Sequence, residues 1–200
     1  MILQKVIIMK SEIKILKLLL DKKEEKFTIR QISKASDLNY RIAYEKTMML
    51  ADEGLIYITR AGNSRICQLT NKLSVKVSEA ELARRDTLLK NKNLSVMLDS
   101  FMSISSKMFV LLVFGSYAKK TNTKFSDIDL MFIVPDEAER RLDKEIQAIA
   151  STLPLKIHVS VFKESEFNAM KNSKEITVGS EAIKHNVILY GIESYYGLVQ

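Results

Sequence analysis

Two aspartates separated by one residue, Asp127 and Asp129, stand at the head of an apolar stretch. Alternate side chains of a β-strand point to the same face, so the two carboxylates would lie roughly 6–7 Å apart. Neighbouring carboxylates repel each other unless a cation lies between them. Oxygen ligands beside a phosphate-bearing substrate suit Mg²⁺ (or Mn²⁺), and paired acids suit an in-line displacement at phosphorus. The pair is a candidate metal site, and two solvated acids at a strand start are the alternative interpretation.

A second candidate feature is the dipeptide Gly115-Ser116, which ends the apolar run 108–114. That run is long enough for a strand that is buried on both faces. Glycine permits close backbone approach, and the free amides at a helix start, together with a serine hydroxyl, suit a phosphate group. Taken alone, the dipeptide is equally consistent with any tight turn.

The two features form one string, GSYAKKTNTKFSDIDL, at residues 115–130. It resembles the signature of the DNA polymerase beta nucleotidyltransferase superfamily, and most closely that of its minimal nucleotidyltransferase branch. That signature reads Gly-Ser-x-Ala-Arg-Gly, five residues, then Ser-Asp-x-Asp-Leu. The residues that match at the right spacing are Gly115, Ser116, Ala118, Ser126, Asp127, Asp129 and Leu130.

The resemblance implies an α/β (α+β) fold with a mixed sheet and flanking helices. It also implies Mg²⁺ on Asp127 and Asp129 and a triphosphate held by Gly115 and Ser116. The implied reaction moves a nucleoside monophosphate from an NTP, expected to be ATP, to a hydroxyl acceptor and releases pyrophosphate. The acceptor would be a protein hydroxyl, as in the toxin–antitoxin members of this branch, a nucleic-acid end or a small molecule.

The sequence departs from this signature at two places. Lys119 and Lys120 replace the Arg-Gly pair, and a lysine meets phosphate as a point charge without a bidentate fork. With Ser126 they complete the predicted nucleotide-binding residues. The third carboxylate that active members place on a following strand is not evident, because the candidate strand 155–162 carries His158 and Ser160 on one face.

His158 is a candidate general base, since the pKa range of histidine suits that role, and Ser160 joins it in the predicted catalytic set. A partly exposed strand histidine without a catalytic role is the alternative. Without a third acid, two outcomes stay open. Catalysis is either retained in a slow or redirected form, or lost while binding of the Mg²⁺–nucleotide survives.

Several elements must position these residues. A strand over 127–134 ends before Pro135, the helix 137–153 follows, and the segments 165–170 and 176–189 are predicted to be helices that pack on the sheet. Residues 71–105 read as mostly helical. We assign residues 93–200 to the nucleotidyltransferase domain and residues 71–92 to a helical connector, which would alternatively serve as the arm of a homodimer.

The N-terminal part has the pattern of a small helical domain. A helix runs from Ser11, its predicted N-cap, to about Leu20, and a second begins after Thr28. A third runs from Tyr40 to about Glu53, and Gly54 ends it as a left-handed cap. Two alternating strands around a Gly-Asn turn then predict a hairpin.

This order of elements over residues 1–70 resembles the winged helix-turn-helix family, whose fold implies that the third helix enters the DNA major groove and the hairpin lies along the backbone. The predicted DNA-binding residues are Asn39, Tyr40, Arg41, Tyr44, Lys46, Arg60 and Arg65. A winged helix used only for dimerisation or protein contact is the alternative.

Charge is distributed unevenly along the chain. Residues 1–90 hold 18 Lys and Arg against 11 Asp and Glu, whereas residues 91–200 hold 13 against 13, so the whole excess of +7 lies in the first part. A basic domain joined to a neutral one favours a polyanionic partner for the first. A lysine-rich solvated surface is the alternative explanation.

The composition of the chain bears on its cellular location. The single cysteine, Cys67, cannot form an internal disulfide, and no apolar run reaches the roughly 18 residues of a membrane span. We therefore expect a cytoplasmic protein with no membrane partner. Three hypotheses follow. The protein is a nucleotidyltransferase tethered to a DNA-binding domain, or a DNA-binding regulator whose nucleotidyltransferase domain only senses nucleotide or supports oligomerisation, or a protein-interaction module in which neither domain keeps its ancestral activity.

Overall fold

A computed structural model describes residues 10–173, 175 and 177–200. The chain divides into two compact units, Met1–Ala80 and Glu81–Gln200. The boundary between them falls inside α4 (Val75–Leu88).

The first unit combines three helices with a small antiparallel sheet. Its elements are α1 (Ser11–Asp21), β1 (Phe27–Thr28), α2 (Ile29–Ala35), α3 (Tyr40–Asp52), β2 (Ile56–Ala61) and β3 (Ser64–Leu69). The strand order is β1-β3-β2, and Ala61 pairs with Ser64 across the two-residue turn. The two-residue strand β1 has no periodicity of its own, so the sequence did not predict it.

Side-chain caps define the helices of this unit. Thr28 and Gln31 form a capping box at the start of α2, in which each side chain accepts a hydrogen bond from the other's backbone amide. Asn39 caps α3 by accepting from the amide of Ile42 at 2.9 Å. Gly54, with φ of +73°, follows α3 in the left-handed region.

The predicted cap of α1 was wrong. Ser11 is the first helical residue, and Lys10 occupies the N-cap position without a side-chain cap hydrogen bond. The apolar stripe of α1 nevertheless faces inward as expected, with Leu16 and Leu20 buried.

The second unit is built on a mixed four-stranded sheet. Its strands are β4 (Val110–Phe114), β5 (Ile128–Val134), β6 (Ile157–Lys163) and β7 (Asn186–Tyr190), in the order β6-β5-β4-β7. Strands β5 and β6 are parallel, and the other two pairs are antiparallel. The mixed α/β class is thus confirmed.

Six helices of the second unit follow α4 within the described residues. They are α5 (Lys92–Phe101), α6 (Gly115–Lys119), α7 (Glu139–Thr152), α8 (Glu164–Asn172), α9 (Val178–Lys184) and α10 (Ile192–Val199), with a 3-10 turn at Asp136–Ala138. In the described part of the chain, no helix has both the length and the apolar character needed to traverse a bilayer.

One segment of this unit was predicted wrongly. The helix expected over 176–189 starts only at Val178 and stops at Lys184, and the apolar run after it forms the edge strand β7. Ile176 lies outside the described residues. A four-residue apolar run carries no period that separates a strand from a buried helix, and here pairing with β4 decides the outcome.

Alternation along β5 assigns its side chains to two faces of the sheet. Ile128, Leu130 and Phe132 join the core cluster that α5 and α7 complete through Met97, Phe101, Leu142 and Ile146. Asp129 therefore lies on the opposite face, with Met131 behind it in the strand. Since β5 begins at Ile128, Asp129 is its second residue and lies at the end of the sheet where β4 runs into α6.

Candidate active site

Asp129 lies directly over the backbone of Gly115. In the antiparallel pairing of β4 and β5, Asp129 is opposite Phe114, the residue before Gly115. Gly115 has φ of +65°, and a Cβ placed there would collide with Oδ2 of Asp129 and come within 3.1 Å of its Cγ. Only a residue without a side chain fits this close approach. The structure thus brings the predicted acid and the predicted glycine turn together.

Asp127 precedes the strand and is exposed to solvent. Ile128 between the two acids is buried and anchors the segment, because its amide donates to the carbonyl of Lys156 at 2.8 Å. The Asp129 side chain is 30% exposed. The Asp129 carboxylate is thus sheltered by the glycine turn, whereas Asp127 is exposed two residues before it.

His158 is a titratable residue that lies next to Asp129 at this end of the sheet. The parallel register places it beside Asp129 on the neighbouring strand, with Nδ1 3.7 Å from Oδ1 of Asp129. Its side chain is 73% exposed, so the imidazole is open to a substrate. The same register places Ser160 beside Met131, further along the sheet, and so not next to an acid.

The turn after β4 forms the short helix α6. Phe114, at its N-cap position, provides no side-chain cap, and Ser116 is partly exposed. Lys120 ends the helix in the left-handed region, with φ of 58° and ψ of 29°, a conformation that favours glycine. That backbone requirement gives a physical reason for the glycine at this place in the family signature.

Lys119 and Ser126 have partners within the protein. Nζ of Lys119 donates to Oε2 of Glu181 on α9 at 3.4 Å. The Ser126 hydroxyl accepts from the amide of Thr123 at 2.9 Å, and the Ser126 amide donates to the carbonyl of Thr123 at 3.2 Å. Ser126 therefore closes the loop that leads into Asp127.

The donor set at this end of the sheet fits one kind of divalent metal site. Within the described residues, no three or more His, Cys, Asp or Glu side chains converge as metal ligands. Mg²⁺ is commonly held by one or two carboxylates, with substrate phosphates and water supplying the remaining oxygens. Asp129 against the glycine turn, with the exposed Asp127 two residues before it, is a donor set of this kind, because two carboxylates leave the remaining positions to substrate phosphates and water.

Residues 100–185 match the family model of the nucleotidyltransferase domain. The match spans β4, the glycine turn, both aspartates and His158, and it supports nucleotidyl transfer as the general activity of this region. No curated protein matches the sequence. One similar solved structure is described as "Crystal structure of the toxin-antitoxin with AMP-PNP"; it has 19% identity and a TM-score of 0.36, and the alignment covers 54% of this chain and 78% of that one.

Next to the candidate site, on the other side of β4, lies a buried polar cluster that sequence reasoning missed. Phe114 pairs with Asp129 on one side and with Asn186 of β7 on the other. Arg84 of α4 donates to Glu81 at 2.6 Å and to the backbone carbonyl of Asn186. Glu81 and Arg84 are 0% and 3% exposed. Their spacing of three residues on a helix was the one available signal, and it does not reveal burial.

Two tyrosines of α10 complete this cluster. The hydroxyl of Tyr196 donates to Glu81 at 3.1 Å, and the side-chain amide of Asn186 donates to the hydroxyl of Tyr195 at 2.7 Å. Burial, reinforced by the Glu81 carboxylate, raises the pKa of Tyr196 far above its usual range. The cluster therefore ties α4 and α10 to the strand that flanks the glycine turn.

In the first unit, the predicted DNA-binding residues divide into two groups. Asn39 is engaged as the cap of α3, and Lys46 donates to Glu12 at 2.7 Å. This hydrogen bond lowers the pKa of Glu12. Arg41 is exposed and pairs with Glu45 on the next turn at 2.9 Å. The charges of Lys46 and Arg41 are thus partly balanced within the unit.

The other group surrounds a cavity at the tip of the hairpin. Arg65 donates to the hydroxyl of Tyr44 at 2.6 Å, and its guanidinium lies 5.1 Å from the centre of that ring. Tyr40 is 56% exposed. Arg60 pairs directly with Arg65 across the hairpin. The cavity has a volume of about 460 Å³, and its lining includes Arg30, Tyr40, Tyr44, Asn63 and Arg65.

Proposed function

We propose that the second unit transfers a nucleoside monophosphate from an NTP, with ATP expected, to a hydroxyl acceptor in the presence of Mg²⁺ (or Mn²⁺). The observation that carries this proposal is the Asp129 carboxylate resting on the backbone of Gly115, where β4 turns into α6. A carboxylate held against a turn with free amides places a metal ligand and phosphate donors in one small space.

Each residue has a stated task in this proposal. The Gly115 and Ser116 amides and the Ser116 hydroxyl bind the polyphosphate, and Lys119 and Lys120 add positive charge beside it. Asp127 and Asp129 hold the metal, which when bound neutralises phosphate charge and favours in-line displacement. Ser126 keeps the loop before Asp127 in place.

His158 is proposed to take the proton of the acceptor hydroxyl. Asp129 lies beside Nδ1 and favours the tautomer that carries its proton there, which leaves Nε2 to accept the new proton. Ser160 lies on the same face and contributes a polar group further along the strand.

The test is a transfer assay with ATP labelled at its α-phosphate. The full chain is incubated with Mg²⁺ and acceptors of each class: protein, nucleic-acid end and small hydroxyl compound. We expect a labelled product from the wild type and from the control Asp99→Asn, which removes an exposed aspartate of α5. Asp129→Asn is expected to lower the rate by roughly 100-fold or more, the scale of an essential electrostatic group. Equal rates for the two variants would reject the site.

A second candidate function has a specific observation in its favour. His158 occupies the place beside Asp129, and strand β6 supplies no third carboxylate there. In this alternative the domain binds the Mg²⁺–nucleotide without turnover and the protein is a DNA-binding regulator that senses nucleotide. Mg²⁺-dependent ATP binding without any labelled product would favour it.

For the first unit, we propose a winged helix that binds DNA, with residues 1–70 forming the domain and 71–92 the connector to residues 93–200. The like charges of Arg60 and Arg65 face each other across the hairpin, an arrangement that costs stability in isolation and suits a polyanion. Exposed Tyr40 and the Arg65–Tyr44 pair lie at the start of α3 and beside the turn, where a duplex would be contacted. A protein acceptor and a homodimer remain further partners to be tested with the same full chain.

A further inference from the structure

Phe125 is an exposed aromatic residue at the rim of the candidate site. It is 75% exposed, whereas the chain's seven other phenylalanines are buried or partly buried. It lies in the loop between α6 and β5, two residues before Asp127. Single exposed apolar residues are common on protein surfaces, so exposure alone gives Phe125 no function.

The turn that presents Phe125 is held by its own hydrogen bonds. The amide of Thr123 donates to the Ser126 hydroxyl at 2.9 Å, the amide of Phe125 donates to the Thr123 hydroxyl at 3.2 Å, and the amide of Ser126 donates to the Thr123 carbonyl at 3.2 Å. The ring is thus presented to water by a preorganised backbone. Preorganisation lowers the entropy cost when a partner covers the ring.

Positive charge accompanies this ring. Nζ of Lys124 lies 5.0 Å from the centre of the Phe125 ring. The segment 115–126 contains Lys119, Lys120 and Lys124 and no acidic residue, although residues 91–200 as a whole have as many acids as bases. Lys119 is paired with Glu181 on α9, so the positive charge that adjoins the ring is that of Lys124.

An aromatic face next to lysines is the combination that binds single-stranded nucleic acid, because every base can stack and every linkage carries a phosphate. A duplex hides the faces of its bases and would not use the ring. We propose that the acceptor is a single-stranded nucleic-acid end whose terminal base stacks on Phe125 while a backbone phosphate contacts Lys124. This inference rests on the proposed function, which it deepens by naming the acceptor class.

The chemical step follows from the proposed roles. The terminal hydroxyl oxygen forms a bond to the α-phosphorus of the NTP, and the bond between the α-phosphorus and the bridging oxygen breaks. Pyrophosphate leaves with the bonding electrons, and the hydroxyl proton passes to His158. Phe125 and Lys124 take no part in this exchange; they determine which acceptor reaches it.

The chain contains no tryptophan, so Phe125→Trp creates a single fluorescent reporter at the ring's own position. The full-length variant is titrated with a short single-stranded oligonucleotide that has a free 3′ hydroxyl. Base stacking quenches indole fluorescence, and we expect a saturable quench. Met108→Trp is the matched control, because Met108 is also exposed, at 65%, and lies before β4 instead of in the loop. It is expected to show no saturable quench.

Kinetics give an independent reading. Phe125→Ala is expected to raise the KM for the oligonucleotide roughly tenfold, the scale expected when one base no longer stacks, with the KM for ATP unchanged. Phe125→Tyr, which keeps an aromatic face for stacking, is expected to have the wild-type KM for the oligonucleotide. The logarithm of the binding constant for the oligonucleotide falls linearly with the logarithm of the salt concentration. Lys124→Ala is expected to make this slope shallower by about 0.7, the contribution of one neutralised single-strand phosphate.

Other results would overturn the inference. Quenching by Mg²⁺–ATP alone would assign the ring to the base of the incoming nucleotide, and the absence of quenching by any oligonucleotide would exclude a stacking role. Preferred transfer to a protein hydroxyl, unaffected by Phe125→Ala, would assign the acceptor to another class. Quenching by the oligonucleotide with no transfer by any protein, including the wild type, would reject the proposed function and with it the assignment of the oligonucleotide as acceptor, and would leave only the stacking on residue 125.

Discussion

Gly115 is the residue on which the geometry of the candidate site depends most. Its positive φ and its contact with the Asp129 carboxylate leave no space for a Cβ. We expect Gly115→Ala to destabilise the protein by about 1–2 kcal/mol through left-handed strain, and to remove nucleotide transfer because the Asp129 carboxylate must move. Chemical unfolding and the transfer assay measure the two effects.

Gly62→Ala is the control for Gly115→Ala. Gly62 also has positive φ, at +58°, but a Cβ there would meet nothing within 4 Å. Gly62→Ala should lose stability through the same left-handed strain, but it should transfer nucleotide at the wild-type rate. A Gly115→Ala protein with full transfer would contradict the packing of Asp129 against the turn.

Lys120 supplies a second test at this scale. It adopts left-handed backbone angles at the end of α6 without being glycine. Lys120→Gly relieves that strain, and the added freedom of the unfolded chain offsets part of the gain, so we expect a net stabilisation of about 0.5–1 kcal/mol. Lys120→Ala removes the same charge and keeps the strain, so it should not stabilise. A destabilised Lys120→Gly protein would show that the interactions of the lysine side chain outweigh its backbone strain.

Among the elements, the two strands around the site and the glycine turn that follows the first of them could be predicted from sequence. A buried apolar run followed by Gly-Ser, and Asp-x-Asp at the head of a second run, each carry a physical signal. The close approach of Asp129 to Gly115 could not be predicted, because it depends on the register between β4 and β5. Strand β7 was missed for the same kind of reason: only its pairing with β4 separates it from a helix.

The buried cluster around Glu81 and Arg84 makes a prediction about the elements it joins. Arg84→Met leaves the Glu81 carboxylate buried without its cation and is expected to cost about 3–5 kcal/mol. Replacing both residues, in Glu81→Met with Arg84→Met, removes the uncompensated charge and should be more stable than Arg84→Met alone. Denaturant unfolding measures both, and a double variant less stable than the single one would contradict this view of the cluster.

In the whole molecule, the unit Met1–Ala80 holds 15 Lys and Arg against 9 Asp and Glu, whereas the unit Glu81–Gln200 holds 16 against 15. The basic excess of residues 1–90 was visible in composition, whereas the structure shows which of those charges are balanced internally, such as Lys46 by Glu12. Charge counts cannot make that distinction, because they contain no distances. The aromatic and basic residues that line the cavity at the hairpin, among them Arg30, Tyr40 and Arg65, are candidates for contacting a polyanion.

Duplex DNA binding by the full chain tests that assignment. The affinity for duplex DNA should fall steeply as the salt concentration rises. The double substitution of Arg60 and Arg65 by alanine should make the slope of log binding constant against log salt concentration shallower by about 0.9 for each phosphate that is no longer neutralised. Lys34→Ala, which removes an exposed charge from α2, is the control and should change little. Binding that does not respond to salt would contradict a role for the hairpin in contacting the backbone.

The proposed function requires Asp127 and Asp129 to hold a divalent metal together with a nucleotide at the Gly115 turn. Since no group of three protein ligands converges within the described residues, metal binding should depend on the nucleotide. Electron paramagnetic resonance of Mn²⁺ measures this directly. We predict that ATP markedly strengthens Mn²⁺ binding, beyond ATP's own affinity for the ion, in the wild type and in Asp99→Asn, and that Asp129→Asn abolishes the effect. Equal Mn²⁺ binding by all three proteins in the presence of ATP would contradict the account.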